Sequence, residues 1–199
     1  MGGAGGDWAT AYGQNGNFND YTSTDAESRI YVSAGSLRYI TRAIVQFDTS
    51  TIPADATITS ATLCLYGASK ITSGGPSGVG NMNITTVTTA GNTTLSNSDY
   101  NISNYGSTRL SDTSISYANW IIGQYNNYVL NASGLAAINK GGWTKFSWRH
   151  DEDIDNIDPG GNAFSYYIPY FQTSENGTNV PYISITYIGT ANGNFLSII

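Results

Sequence analysis

The sequence contains few charged residues and very few basic ones. Lys, Arg, Asp and Glu make up 11% of its 199 residues, against about 25% in a typical soluble domain. Only eight residues are basic, and the formal net charge at pH 7 is −6. A nucleic-acid interface needs clustered cations that neutralise backbone phosphates. The sequence therefore predicts no nucleic-acid partner.

Cysteine and long apolar runs are also scarce. The single cysteine, Cys64, allows neither an intramolecular disulfide nor a cysteine metal cluster, and we interpret it as a small packed side chain. No run approaches the ~20 apolar residues that cross a membrane. The first residues have neither the basic start nor the apolar core of a signal peptide. We expect no membrane insertion.

Polar and apolar residues alternate along most of the chain. In TRAIVQFD, Val45 and Phe47 share one face, and in TITSATLCLYG, Leu63 and Leu65 do the same, with Pro53 in the turn between the two segments. A period of two is typical of half-buried β-strands. The predicted common core contains Val45, Phe47, Leu63, Leu65, Phe146, Trp148, Ile183 and Ile185.

Only one segment carries helix signals. In LNASGLAAINKGG, Ser133 is a candidate N-cap and Gly141 a candidate helix end. Many strands with one short helix predict an all-β fold, an antiparallel β-sandwich of the jelly-roll type. Residues 1–199 then form a single domain with a Gly-rich N-terminal arm over residues 1–6 and an apolar C-terminal tail over residues 189–199.

The stretch WRHDEDIDNIDPGGN combines five acidic residues with the only histidine, His150. Asp151, Asp153 and Asp155 alternate as in the first half of a calcium loop. The turn glycine and the final glutamate of an EF-hand are missing. Ca²⁺ bound with the help of other groups is one alternative, and a solvated acidic loop is the interpretation we favour.

The acidic stretch does not predict an enzyme. Glycoside hydrolysis needs two carboxylates across a cleft, one of them with a pKa raised by its surroundings, whereas adjacent acids on a polar loop are alike. A Ser-His-Asp triad would depend on His150, and the chain has no Gly-X-Ser-X-Gly nucleophile motif. We predict no catalytic residues and, apart from the calcium alternative, no cofactor.

Aromatic residues make up 13% of the chain, and 15 of them are tyrosines. Strand parity directs four aromatic side chains away from the predicted core, namely Tyr31, Trp143, Tyr167 and Tyr182. Flat aromatic faces bind sugars, and rigid amphipathic rings also suit contacts between subunits. The sequence leaves both interpretations open, with packing against loops or subunits preferred.

Three blocks occur in a fixed order, RAIVQFDTSTIPADATITSATLCLYG, LNASGLAAINKGGWTKFSWRHDEDIDNIDP and YFQTSENGTNVPYISITY. Together they resemble the DNRLRE domain family, which overlaps a recognised group of carbohydrate-binding modules. The resemblance extends from Asp7 to Tyr187. It implies a jelly-roll sandwich, usually non-catalytic, as found in secreted polysaccharide-acting proteins, archaeal surface proteins and virion proteins. It brings no residue-by-residue binding motif.

Two functions from different classes follow as expectations. The preferred one is a structural protein on a virion or extracellular surface, a decoration, fibre or filament subunit. Its partners are other copies of itself or an underlying capsid, fibre or cell-surface protein. The tail residues then dock on a neighbour or fold back onto their own sandwich, and they are Phe195, Leu196, Ile198 and Ile199. The alternative is a glycan-binding module of a secreted polysaccharide-acting or adhesin protein.

Overall fold

The computed structural model describes residues 2–3, 7–33, 37–73, 80–160, 165–189 and 195–198. The strands are β1 (Gly2–Gly3), β2 (Gly16–Phe18), β3 (Asp25–Glu27), β4 (Arg29–Ser33), β5 (Leu37–Thr41), β6 (Ala43–Asp48), β7 (Thr57–Ser73), β8 (Asn81–Thr86), β9 (Ile115–Ser116), β10 (Tyr125–Val129), β11 (Trp143–His150), β12 (Ser165–Gln172), β13 (Tyr182–Ile188) and β14 (Phe195–Ile198). The α-helices are α1 (Trp8–Gly13), α2 (Ala132–Ala136) and α3 (Asp151–Asp155), and short 3₁₀ segments cover Asn97–Tyr100, Ile102–Asn104 and Ser174–Asn176. None of the helices in these ranges is long and apolar enough to span a membrane.

The strands form two antiparallel sheets. The larger follows the order β14-β13-β7-β12-β4-β5-β1-β2, with β10 also paired to β7 and β3 to β12. The smaller follows the order β6-β11-β8-β9. The predicted antiparallel β-sandwich is confirmed, whereas this strand order does not confirm jelly-roll connectivity.

The long strand β7 organises the larger sheet. Its first half pairs with β13 and β10, and its second half pairs with β12. Gly67 lies at the change of partner, where the loop before β10 crosses closely. A Cβ atom there would lie 2.1 Å from the Ile121 carbonyl oxygen, so only glycine fits.

Seven of the eight predicted core residues are buried. The fully enclosed ones include Phe146 and Trp148, and the Trp148 ring nitrogen donates a hydrogen bond to the Tyr128 hydroxyl at 2.8 Å. Phe47 is the exception, because it is only partly buried and lines a cleft beside the edge strand β6. The strand parities used for the core are therefore confirmed, with Phe47 at its boundary.

The predicted helix is present as α2, with a different cap. The Asn131 side chain, and not Ser133, accepts the hydrogen bond from the Gly134 N–H at 3.0 Å. Helices α1 and α3 were not predicted. With six and five residues they are too short to show a helical period in the sequence.

Both predicted terminal segments contribute strands. Gly2–Gly3 pairs with β2 and β5, while residues 1 and 4–6 of the arm lie outside the described ranges. In the tail, Phe195–Ile198 pairs with β13 of the same chain. The tail therefore folds back onto its own sandwich, the second alternative given above, and Ile199 lies outside the described part.

Replacing Phe146 with Ala should lower the free energy of unfolding by about 3–5 kcal/mol, because it leaves a cavity in an enclosed core. Phe47→Ala should cost clearly less, since that ring already contacts solvent on one side. Urea denaturation of the two variants measures the difference. Equal losses would contradict the placement of Phe47 at the core boundary.

Candidate functional site

The acidic stretch is not a solvated loop. Residues Asp151–Asp155 form helix α3 directly after β11, and Asp153 is 1% exposed. This corrects the interpretation favoured from the sequence. The reason is that arginines distant in the chain bind these carboxylates, and local sequence does not reveal such partners.

Asp153 lies between two buried arginines. The Arg42 Nη2 and Nε atoms donate to its carboxylate at 2.7 and 2.8 Å, and Arg149 Nη1 donates at 3.3 Å. Burial alone would raise the pKa of Asp153, but the charge and hydrogen bonds of Arg42, with Arg149, hold it below its usual value. The stabilisation is therefore present above the ordinary aspartate pKa and is lost as pH falls through the lowered one.

The Arg42 guanidinium is enclosed by backbone oxygens and aromatic rings. It donates to the Tyr100 and Tyr12 carbonyl oxygens at 2.9 and 3.0 Å. Its central carbon lies 4.4 Å from the centre of the Tyr100 ring, and the Tyr105 ring is 5.2 Å away. Charge, hydrogen bonds and cation–π contacts together compensate for removing this group from water.

Asp151 and Asp155 form ion pairs with a third arginine, Arg109. Arg109 binds Asp155 through both terminal nitrogens at 2.9 and 2.8 Å, and its Nε atom donates to Asp151 at 3.1 Å. The three alternating carboxylates thus point to different partners. Across the described ranges, no group of three or more His, Cys, Asp or Glu residues has the geometry to hold a metal ion.

The buried His150 and the half-buried Glu152 lie close together in this region. The His150 Nε2 atom lies 3.2 Å from the Ser28 carbonyl oxygen, and its Nδ1 atom lies 3.8 Å from Glu152 Oε2. Burial lowers the pKa of His150 and raises the pKa of Glu152 to about 7. His150 is thus an enclosed structural residue and not an accessible catalytic base.

Asp153→Asn should destabilise the protein by about 3–5 kcal/mol, because it leaves two buried guanidinium groups without their shared carboxylate. Asp155→Asn is the matched control on the exposed side of α3 and should cost no more than ~1 kcal/mol. Thermal and urea unfolding at neutral pH measure both changes. A harmless Asp153→Asn would contradict the assigned role of the buried pair.

Glu152→Gln should stabilise the protein at pH ~8 but not at pH ~4.5. The folded pKa of Glu152 is about 7, above its ordinary value of 4.5, so stability falls as pH rises between these values. Glutamine imitates the protonated form, and solvent contact limits the gain at high pH to about 1–2 kcal/mol. The His150 contribution is common to both proteins. A gain that is the same at both pH values would disprove ionisation of Glu152 as its cause.

The four predicted surface aromatics do not share one platform. Tyr31 contacts Tyr39 and Tyr166, with ring centres 5.7 and 5.5 Å away. Tyr167 lies directly opposite Ile30 in the pairing of β12 with β4, so these two side chains share one face of the sheet, the face opposite to that of Tyr31. The Ile30 side chain is buried. Ile168, the next residue of β12, faces the opposite way and is 3% exposed, so both faces of this strand are covered there and the outward direction of Tyr167 stays a prediction.

The other two predicted aromatics approach each other. Trp143 and Tyr182 both line a groove of about 310 Å³. Tyr182 also packs against Tyr125, with ring centres 5.0 Å apart. This groove adjoins a larger cleft, and Trp143, Phe47 and Pro181 line both.

The larger cleft has a volume of about 640 Å³ and lies between the two sheets. One wall is the edge strand β6, which pairs only with β11 among the described strands. The opposite wall combines β3 with β12, held in register by the pairs Glu27 with Tyr170 and Asp25 with Gln172. The cleft is therefore a product of sheet packing and not of a single loop.

Aromatic and acidic residues both line this cleft. The aromatic lining residues are Tyr21, Phe47, Trp143, Tyr170 and Phe171. Tyr21 is 49% exposed, so its ring is available to a ligand. Carboxylates of Asp20, Asp25, Glu27 and Glu175 also line the cleft. Apolar surfaces with a few polar groups are typical of small-molecule and sugar sites.

Two polar atoms of the cleft lining have no hydrogen-bond partner within the described part of the chain. They are Thr41 Oγ1 and Gln46 Oε1, both buried. Thr41 is 4% exposed. The Gln46 side-chain nitrogen donates a hydrogen bond to Thr89 Oγ1 at 3.0 Å, whereas its side-chain oxygen accepts none from the described residues. A buried polar atom without a partner costs about 1–3 kcal/mol.

Sequence analysis identified only Trp143 of the larger cleft. The missed residues come from positions 20–27, 41–47, 92–95, 170–175 and 181, which become neighbours only through the packing of the two sheets. The cluster of Asp20, Tyr21, Asp25 and Glu27 within eight positions was the available signal.

Comparisons with protein-family models, curated proteins and solved structures found no match to this chain.

Proposed function

We propose that the protein is a non-catalytic carbohydrate-binding module and that the cleft between β6 and the β3–β12 pair is its glycan site. The main support is the exposed aromatic surface of this cleft, where Tyr21 is 49% exposed and lies in one lining with Trp143, Tyr170 and several polar residues. Sugar rings present both apolar C–H faces and many hydroxyl groups. Such a cleft satisfies both. The resemblance to the DNRLRE family supports the same choice.

The length of the site favours a polymer over a single sugar. The cleft and the adjoining groove follow β6 along Ala43–Asp48, and six residues of strand extend roughly 20 Å. A polysaccharide segment would use this length, with Tyr21 and Tyr170 beside the larger cleft and Tyr182 beside the smaller groove.

We propose binding without bond cleavage. A hydrolytic site needs one carboxyl group in apolar surroundings that keep it protonated. Asp20 and Glu175 are exposed, Asp25 is half-buried, and Glu27 forms an ion pair with Arg29 at 3.2 Å. The only histidine, His150, is enclosed behind α3.

Tyr21→Ala should weaken polysaccharide binding by about fivefold to tenfold, because it removes an exposed ring from the cleft without opening the core. Tyr31→Ala is the matched control, since it removes an aromatic ring of the outer face. Affinity electrophoresis against neutral, acidic and amino polysaccharides identifies a ligand, and calorimetry then gives the two affinities.

Loss of binding in Tyr31→Ala but not in Tyr21→Ala would move the site to the outer sheet face. Binding to none of the polysaccharides would contradict the glycan proposal. Release of new reducing ends during incubation would contradict the non-catalytic assignment.

A structural subunit of a virion or extracellular surface is the second candidate. The observation that favours it is the open edge of β6, since no second strand pairs with it within the described residues. Such an edge can accept a strand from another chain. Self-association in solution, together with no binding to any polysaccharide, would favour this candidate.

A further inference from the structure

Five Asn-X-Ser/Thr triplets occur in the chain, and such triplets are the acceptor motif for N-linked glycans. Their asparagines all lie in the described ranges and are Asn83, Asn92, Asn101, Asn131 and Asn176. The structure separates them by two properties that an attached glycan requires. The asparagine must have access to solvent, and its side-chain nitrogen, Nδ2, must not already hold the fold together.

Asn83 has neither property. It is 1% exposed within β8, and all of residues 83–85 are buried. Its Nδ2 atom donates to the Ser111 carbonyl oxygen at 3.1 Å and to Ser114 Oγ at 3.0 Å. A glycan on this nitrogen would replace one of these hydrogens and leave a buried acceptor without its donor.

The Asn131 side chain is half-buried and holds one end of α2. Its Oδ1 atom accepts from the Gly134 N–H at 3.0 Å. Its Nδ2 atom donates to the Arg109 carbonyl oxygen at 3.2 Å and to Asp112 Oδ1 at 2.9 Å. Both hydrogens of this nitrogen are thus in use, so a glycan would break one of the two contacts.

The Asn101 side chain is also half-buried and connects two segments of the chain. Its Oδ1 atom accepts from the Ser103 N–H at 3.0 Å, at the start of the 3₁₀ segment Ile102–Asn104. Its Nδ2 atom donates to Asn15 Oδ1 at 3.2 Å and to the Gly13 carbonyl oxygen at 3.5 Å. A glycan here would break a contact with the end of α1.

Asn92 is the opposite case. The three residues of its triplet, Asn92, Thr93 and Thr94, are all exposed. Its side chain forms no hydrogen bond with any residue that the structure describes. The loop is held by other groups, since the Gly91 carbonyl oxygen accepts from Thr89 Oγ1 at 2.6 Å and from Lys145 Nζ at 2.9 Å. A substituent on Asn92 therefore breaks no contact.

Asn176 combines access with a free nitrogen. It ends the short 3₁₀ segment Ser174–Asn176 between β12 and β13, and the next two residues of its triplet are exposed. Its Oδ1 atom accepts from Thr178 Oγ1 at 3.1 Å, whereas its Nδ2 atom donates to no residue of the described ranges. A glycan on this nitrogen leaves the turn intact.

We infer that Asn92 and Asn176 are acceptor sites for N-linked glycans and that the other three triplets stay unmodified in the folded protein. The donor is a lipid-linked oligosaccharide diphosphate. Nδ2 forms a bond to the anomeric carbon of the first sugar, the bond from that carbon to the diphosphate oxygen breaks, and the lipid diphosphate leaves. The amide proton passes to a base of the transferase.

This modification does not depend on polysaccharide binding, although one of its sites touches the proposed binding cleft. Asn92 is part of the lining of the larger cleft. An oligosaccharide attached there would compete with a polysaccharide for the same space. The binding measurements proposed above therefore use protein from a host that attaches no N-glycans, so each proposal can fail without the other.

The test is secretion of the full chain, behind a cleavable signal peptide, from a host cell that attaches N-glycans. Glycopeptidase digestion in heavy-oxygen water converts each modified asparagine to a labelled aspartate, which peptide mass spectrometry locates. Label is expected at Asn92 and Asn176 only. Absence of label at either one overturns the assignment of that site. Label at Asn83 overturns the burial criterion, and label at Asn101 or Asn131 overturns the hydrogen-bond criterion.

Substitutions test the free nitrogens without any glycan. The double variant Asn92→Gln/Asn176→Gln should lose all label when secreted, and its unglycosylated form should keep the wild-type Tm. Asn131→Gln is the matched control and should lower Tm by about 2–4 °C, because α2 loses its cap. An equal loss of Tm in the double variant would show that the two amides hold the fold, which overturns the inference.

Discussion

The buried ion pair between Arg42 and Asp153 holds the two sheets in their relative positions. Arg42 is the single residue between β5, in the larger sheet, and β6, the edge of the smaller one. Its partner follows β11, the neighbour of β6. The same guanidinium binds the backbone at Tyr12 and Tyr100, so α1 and the 3₁₀ segment Asn97–Tyr100 are joined to the crossover as well. An uncompensated charge here would cost several kcal/mol, which makes alternative packings unfavourable.

The position of the cleft depends on this crossover. Arg42 immediately precedes β6, and this edge strand faces β3 and β12 across the cleft that the aromatic and acidic residues line. Arg42 contributes to the lining and shares the single carboxylate of Asp153 with Arg149.

Structural subunits and glycan-binding modules use the same kind of sandwich, and fold alone does not separate them. The two functions differ in the surface that would bind the partner and in the side chains on that surface. In this protein an exposed tyrosine ring, further aromatic residues and four acidic residues line one cleft. Backbone pairing of the tail strand Phe195–Ile198 with β13 removes the reason to assign it to a neighbouring subunit.

The sequence by itself determined the fold class and most of the core, because alternation along β6, β7, β11 and β13 is a local property of each strand. Residues such as Leu63 and Trp148 were predicted on this basis and are enclosed. Tertiary structure decided the state of the acidic stretch and the location of the cleft. Asp153 meets Arg42 across 111 positions, and β3 meets β12 through pairing of residues more than a hundred positions apart. Long-range contacts of this kind leave no periodic signal, so only the packed sandwich identifies them.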